Sequence, residues 1–440
     1  MYMKQSACWT LAVVLAFGSA VSRIRAEDAP PAVSNALTLT EAIRIALEQN
    51  PDIRAFRGRV DAAAGRAYQA KLWSNPELEL SVEEWPTGRG FSAAKQTIGI
   101  AQTLPFPGKK SLDRRIGSAG VRLSEAELSL RRVEIVRNVK AAFFQVLAAV
   151  RRVEAAGDLL TVAESSADTA RRRVEAGATS DQEQLRAEIQ LEQARNDLAE
   201  LQQELAVARQ NLATLLGRPD LQDAPVSGAL AESPPTALLE LAPEQWLEMH
   251  PSTVAARTAL DRAELELSRA RLDPLPDVRV GVAGGRAGET DESIVEFRMS
   301  LPLPLIDRGK GTKQEARANV SIATAELAGV EQQLRREWGA ATQRLRAAIE
   351  QARNYRERIL PKAERALELV SGGFEQGKFG FIDLLDTQRT TAEARLAYQQ
   401  KLLELNIAQA EIEALVAAAS PASTGPTTEP VHSQNRQATQ

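Results

Sequence analysis

Two carboxylates three residues apart, Asp383 and Asp386, are the groups in this chain best placed to act on an ion. On a helix that spacing puts both on one face. They close the stretch Phe374-Glu-Gln-Gly-Lys-Phe-Gly-Phe-Ile-Asp-Leu-Leu-Asp386, whose glycines interrupt a long helical pattern. Such a stretch predicts the tip of a helical hairpin, with Gly377 in the turn. A similar stretch lies 200 residues upstream, where Glu175, Gly177 and Leu185 stand at the places of Glu375, Gly377 and Leu385. Gly177 and Gly377 fit a turn between antiparallel helices, which requires a positive φ. The paired acids have two readings on spacing alone. One is a site that attracts cations; the other is a pair of acids at a helix N-terminus, where the macrodipole favours negative charge.

Other chemistry has little material to work with. His250 and His432 are the only two histidines, the first before a proline and the second in a polar tail. The single cysteine, Cys8, lies near the N-terminus, and no set of Cys, His, Asp and Glu has metal-ligand spacing. No nucleophile elbow, phosphate loop or cofactor fingerprint occurs. The chain is therefore expected to be no enzyme and to hold no cofactor and no metal of its own. A net charge of -4 without a clustered basic excess gives no footprint for nucleic acid.

The elements that must carry the tips are long helices. Hydrophobic residues make up 44% of the 440 positions but aromatic ones only 4%, a balance typical of helices that meet through Ala and Leu. Residues 1–26 read as a secretory signal peptide cleaved after Ala26, or after Ala20. A helix begins with Thr40 as a cap, meets Asn50-Pro51 and resumes to about Trp73. The period then changes to two: Leu78, Leu80 and Val82 alternate with polar residues, and a partner strand ends before Pro105, giving a strand pair over 77–104. A helical hairpin follows over 111–216, its seam running through Val139, Phe143, Val146 and Val150 and returning through Leu198, Leu201, Leu205 and Leu212. Residues 219–243 read as a linker. The second half, 244–418, replays the first (27–218): a helix from Trp246 with His250-Pro251 at the place of Asn50-Pro51, a strand pair over 277–303, and a helical hairpin over 310–418 with a kink at Pro361. Residues 419–440 read as a disordered tail. No segment after the signal is apolar enough for a membrane helix, so any membrane contact must come from strands. Four strands are too few to close a membrane barrel alone.

This order of elements, with the paired glycine tips and the run Gly377-Lys-Phe-Gly-Phe-Ile-Asp-Leu-Leu-Asp386, resembles the TolC-like outer-membrane efflux factor family over about 37–418. Leu104-Pro-Phe-Pro-Gly108 and the overall length look most like its heavy-metal (cobalt-zinc-cadmium) efflux branch. The resemblance implies a mainly α fold with a small membrane β part. Three protomers would form a trimeric 12-stranded β-barrel in the outer membrane, continued by a long α-helical periplasmic barrel and closed at its inner end by the tips. It implies a passive exit duct of a tripartite efflux system for metal cations or small toxic compounds. Its partners would be an inner-membrane pump, a periplasmic adaptor and outer-membrane lipid. Carried over residue by residue, Asp383 and Asp386 form the channel constriction, and Asp181 is one half of a tip latch. The usual tyrosine and arginine partners are here Phe374 and Phe379, which could act as an apolar plug. The surroundings of Gly177 and Gly377 would meet the adaptor. On the residues themselves, Lys109-Lys110 and Arg114-Arg115 read as a solvated barrel-to-helix junction, with anchoring of lipid headgroups as the alternative, and Trp73 and Trp85 as an interfacial belt or as ordinary packing. The competing reading is a soluble periplasmic coiled-coil scaffold or adaptor with a small covered sheet. Two helical hairpins and two strand pairs, where an adaptor usually has one hairpin, weigh against it.

Overall fold

The computed structural model describes residues 36–83, 94–233, 239–287, 290 and 292–417. The expectations for the signal peptide, Trp85, His432 and the tail lie outside them.

Helix α1 (Leu39–Gln49) begins two residues earlier than Thr40 would allow: Thr38 is the cap, its Oγ1 accepting the Glu41 N–H at 3.3 Å. Its buried face, Ala42, Ile45 and Ala46, follows the 3.6-residue period. Asn50 ends it and caps α2 (Pro51–Lys71), accepting the Asp52 N–H at 2.8 Å while donating Nδ2 to the Leu215 carbonyl at 2.8 Å. Strands β1 (Glu77–Glu83) and β2 (Lys95–Leu104) follow. Helix α3 (Lys109–Glu175) then runs 67 residues without a break, about 100 Å at 1.5 Å per residue. It returns as α4 (Asp181–Leu216).

The 219–243 connection is more than a linker. Leu221, Val226 and Leu230 pack on the first-half core, and Leu230, Leu239 and Leu241 pack on that of the second half. Asn406 clamps its backbone, accepting the Ala231 N–H at 2.9 Å and donating to the Ala231 carbonyl at 3.0 Å. The expected helix from Trp246 also starts later, since residues 243–249 form two 3₁₀ turns with Trp246 and Leu247 buried. Helix α5 (Pro251–Arg271) starts at the proline because Pro needs no partner for its missing N–H at N1. His250 caps it, Nδ1 accepting the Ser252 N–H at 3.2 Å.

Strands β3 (Val278–Ala287) and β4 (Glu292–Ser300) complete one antiparallel sheet in the order β1-β2-β3-β4. The strand expected to reach Leu303 stops at Ser300, because Pro302 and Pro304 have no N–H for a ladder. The second long helix is divided: α6 (Lys310–Asn354) passes through a π-helical turn at Tyr355–Ile359 into α7 (Leu360–Glu375). Pro361 cannot donate to the preceding turn, and the Leu360 N–H reaches instead to the Tyr355 carbonyl, five residues back. Helix α8 (Phe381–Ala417) closes the fold.

Each half has its own core. Ile53, Ile135, Val139, Phe143, Val146 and Leu216 form the first; Trp246, Trp338, Leu345, Leu405 and Ile412 form the second. Helix α3 joins the halves, with Lys140 paired to Glu413 of α8 at 2.7 Å.

The sheet has two unlike faces. Its register places Leu80 beside Ile98, Ile100 beside Val282 and Val282 beside Phe297. That row is exposed, Phe297 by 86% and Met299 by 77%. The opposite face carries charge: Arg279 meets Glu77 at 2.7 Å and also Glu79, Arg298 meets Glu296 at 2.8 Å, and Lys95 meets Glu296 at 2.5 Å. Arg298 on β4 also meets Glu79 on β1 at 3.3 Å. Those outer strands lie three spacings apart, about 14 Å in a flat sheet, so the sheet curls toward its charged face.

Candidate functional site

The tips are built twice on the same backbone. In the first, Gly177 has φ 68°, its N–H donates to the Val174 carbonyl at 2.8 Å, and the Ala178 N–H donates to the Arg173 carbonyl at 2.8 Å. In the second, Gly377 has φ 74°, its N–H reaches Phe374 at 3.0 Å, and the Lys378 N–H reaches Gly373 at 2.8 Å. These are the paired bonds of a left-handed helix C-cap, which satisfy the last carbonyls of the incoming helix. The expectation of positive φ at both glycines is met.

Asp383 and Asp386 are both exposed on the first turns of α8, with Leu384 and Leu385 buried between them. Asp383 is the third residue of the helix, and its Oδ2 accepts the Gly380 N–H at 2.9 Å. It thus satisfies an orphan donor, as the acid of a capping box does. Asp386 meets Arg389 one turn on at 3.3 Å, with side chains 68% and 63% exposed. A pair so exposed is screened and weak, which leaves the carboxylate available to ions.

Asp181 lies exposed at the first position of α4, and no hydrogen bond or ion pair among the described residues joins it to the second tip. Phe374 does not project into solvent as a plug would. Its ring lies 5.8 Å from that of Phe381, in a small core with Ala167, Ala170, Ala187 and Leu385 that draws on both hairpins. Phe379 is 44% exposed, and its ring rests on Gly373, where a Cβ would come within 2.2 Å of it.

Two tip residues escaped the sequence reading. The Arg173 guanidinium of the first hairpin sits over the Phe374 ring of the second, 5.1 Å from its centre, a cation-π contact between the tips. Phe381 anchors the shared core and is only 4% exposed. For Phe381 a signal was available in the internal alignment, since it stands where the first tip carries Asp181, but nothing local pairs Arg173 with Phe374.

Among the described residues no group of His, Cys, Asp and Glu could hold a metal ion, and no helix is long and apolar enough to cross a membrane. His250 is buried and occupied as a cap.

Comparison with known proteins gives these tips and this sheet their context. The cobalt-zinc-cadmium resistance protein CzcC of Cupriavidus metallidurans is 31% identical over 369 residues, covering 84% of this chain and 87% of that one. The nickel and cobalt resistance protein CnrC of the same organism is 27% identical over 330 residues, 74% of each. Among solved structures, the outer membrane protein VceC of Vibrio cholerae superposes with a TM-score of 0.71 at 18% identity, covering 86% of this chain and 95% of that one. The open state of the MtrE outer membrane channel of Neisseria gonorrhoeae gives 0.74 at 20% identity, covering 86% and 88%. At such identities the structures speak for the fold alone. The pattern of the outer membrane efflux proteins matches this sequence twice, over residues 42–218 and 242–418. With two matches spanning both halves, the chain belongs to the outer membrane efflux protein family, and its role is that of an outer-membrane channel.

Proposed function

We propose that three copies of the chain assemble into a passive exit duct of a tripartite efflux system, which carries metal cations delivered by an inner-membrane pump through a periplasmic adaptor. The observation that carries this reading is the sheet. Its outward face is apolar and exposed, its inward face is charged, and neither β1 nor β4 has a partner strand on its outer side among the described residues. In lipid, unpaired edges cost several kcal/mol per backbone group, so such a sheet must be closed by others. Three four-stranded sheets give a twelve-stranded barrel with an apolar outside and a polar inside. The long helices then continue as a periplasmic tunnel, and the tips form its far end.

At that end, three copies of Asp383 and Asp386 ring one axis and favour cations over anions. Asp386 carries most of this, because Asp383 is engaged with the Gly380 amide. Arg173 on Phe374 holds the two hairpin tips of each protomer together, in place of a latch through Asp181. Opening is a shift between tip arrangements, biased by the adaptor's contacts around Gly177 and Gly377. The carboxylates and the relatives named for cobalt, zinc, cadmium and nickel resistance support metal cations as cargo over small toxic compounds.

Conductance of the purified protein across a planar lipid bilayer tests this. Cation-selective channels are expected, with selectivity falling when Asp383→Ala and Asp386→Ala are combined. Folded protein that never inserts would overturn the duct.

A further inference from the structure

We infer that the helix-side rim of the sheet binds anionic phospholipid headgroups. The inference rests on the membrane reading of the sheet given above. The register brings the first residues of β1 and β3 and the last residues of β2 and β4 to a single rim, since Glu77 pairs with Ala101, Leu104 with Val278, and Ser300 with Arg279.

At the β4 side, the outward row of Val295, Phe297 and Met299 does not stop where the strand stops. The same period of two continues through Leu301, Leu303 and Leu305, all exposed, and ends at Ile306, which is 99% exposed. A contiguous exposed apolar row of this kind marks an interface. The chain then turns: Asp307 Oδ1 accepts the Gly309 N–H at 2.8 Å, and Gly309 takes φ 65°. Directly after the apolar row come Arg308, Lys310 and Lys313, none of which has a carboxylate partner among the described residues. At the β1 side, α2 ends in the exposed group Tyr68, Lys71 and Trp73, with the Lys71 ammonium 4.3 Å from the centre of the Tyr68 ring.

Three acids of this rim pair with cations, and Asp307 is held by the Gly309 amide. Asp277 pairs with Lys109 at 2.8 Å, and Arg269 takes both Asp113 and Asp273. What remains is an apolar wall and, beyond it, Trp73 and the cations Lys71, Arg308, Lys310 and Lys313. That order matches acyl chains, interface and phosphates of one leaflet. Long Lys and Arg side chains can lie along the apolar row and still reach the phosphate level. The phosphate is that of a lipid, because a free phosphate would have no use for the adjoining apolar row.

The test mixes the full-length protein in detergent with equal parts of phosphatidylglycerol and phosphatidylcholine and measures the lipid retained after gel filtration. A rim variant combines Lys71→Gln, Arg308→Gln, Lys310→Gln and Lys313→Gln. A matched variant removes as many charges from the helical shaft, through Arg335→Gln, Arg336→Gln, Arg346→Gln and Lys362→Gln. Wild type and the matched variant should retain phosphatidylglycerol over phosphatidylcholine by about threefold or more, with the preference lost in the rim variant and in high salt. Equal preference in the rim variant and wild type, no preference in wild type, or equal loss in the matched variant overturns the inference. Should the rim variant fail to fold, the pair Arg308→Gln and Lys310→Gln is read in its place, with a halved preference expected and an unchanged one overturning it. Channel formation in neutral phosphatidylcholine bilayers reports the membrane reading separately, so conductance that persists without any lipid preference sinks the rim alone.

Discussion

The two hairpin tips share a backbone and differ in nearly everything attached to it. Both incoming helices are followed, two residues on, by a left-handed glycine, and both outgoing helices start four residues after that glycine. On that common frame the first tip carries Arg173, Asp181, Glu183 and Arg186, where the second carries Gly373, Phe381, Asp383 and Asp386. The first is charged with both signs, while the second has an aromatic core and an acidic face. A turn fixed by backbone hydrogen bonds and one glycine leaves its side chains free to diverge. One copy can then supply the packing cation, Arg173, and the other the ring that receives it and the carboxylates.

The largest expected effect separates the tips by their cores. Phe381→Ala should cost about 4 kcal/mol locally, through lost burial and a cavity. Asp181→Ala, the corresponding change in the exposed first tip, should cost close to nothing. Hydrogen exchange of the tip amides checks this, and equal protection loss in the two variants would break the comparison.

A second contrast lies at the caps of α2 and α5. Asn50 and His250 occupy corresponding places, and each accepts the N–H two residues on. Burial pushes the His250 imidazole down from 6.5 to about 4, with the nearby Glu337 pulling the other way. The folded protein therefore holds His250 neutral while the unfolded chain takes up a proton. This contribution to stability is full above about pH 6.5 and is lost as pH falls toward 4, on the order of 3 kcal/mol in all. Urea midpoints at pH 7 and pH 5 should move apart in wild type and close up in His250→Asn, which keeps a capping acceptor that does not titrate. Asn50→Ala should lower stability by about 1 kcal/mol at either pH.

Smaller still, Gly177→Ala and Gly377→Ala should each cost roughly 1 kcal/mol, and by equal amounts, because each forces an L side chain into positive φ and neither Cβ would meet a neighbour. Unequal thermal shifts would mean that the tips do not share a turn. The smallest effect sharpens the division of labour between the acids. Asp383→Ala should lose some 0.5–1 kcal/mol of helix capping, whereas Asp386→Ala should leave the melting temperature unchanged and alter only ion selectivity.

Much of the architecture was legible because it depends on local periodicity. The alternation at Leu78, Leu80 and Val82 gave β1, and the absence of proline gave the unbroken α3. Errors fell where a cap or a missing N–H decides a boundary. Thr38 outcompetes Thr40 as the cap of α1, and α5 waits for Pro251. Pro361 was legible as a disturbance, but not that the helix would pass it through a π turn instead of a kink. At the tips, the glycines could be read from spacing. Arg173 could not, since its partner Phe374 is 201 residues away along the chain.

By itself the sequence determined helix and strand periods, both glycine turns and the duplicated order of elements, all set by contacts within a few residues. Only the tertiary structure decided that Phe374 packs half-buried beneath Arg173 and that the sheet curls toward its ion pairs. Those outcomes rest on side chains from distant segments meeting at hydrogen-bonding or van der Waals distance, which no local pattern encodes.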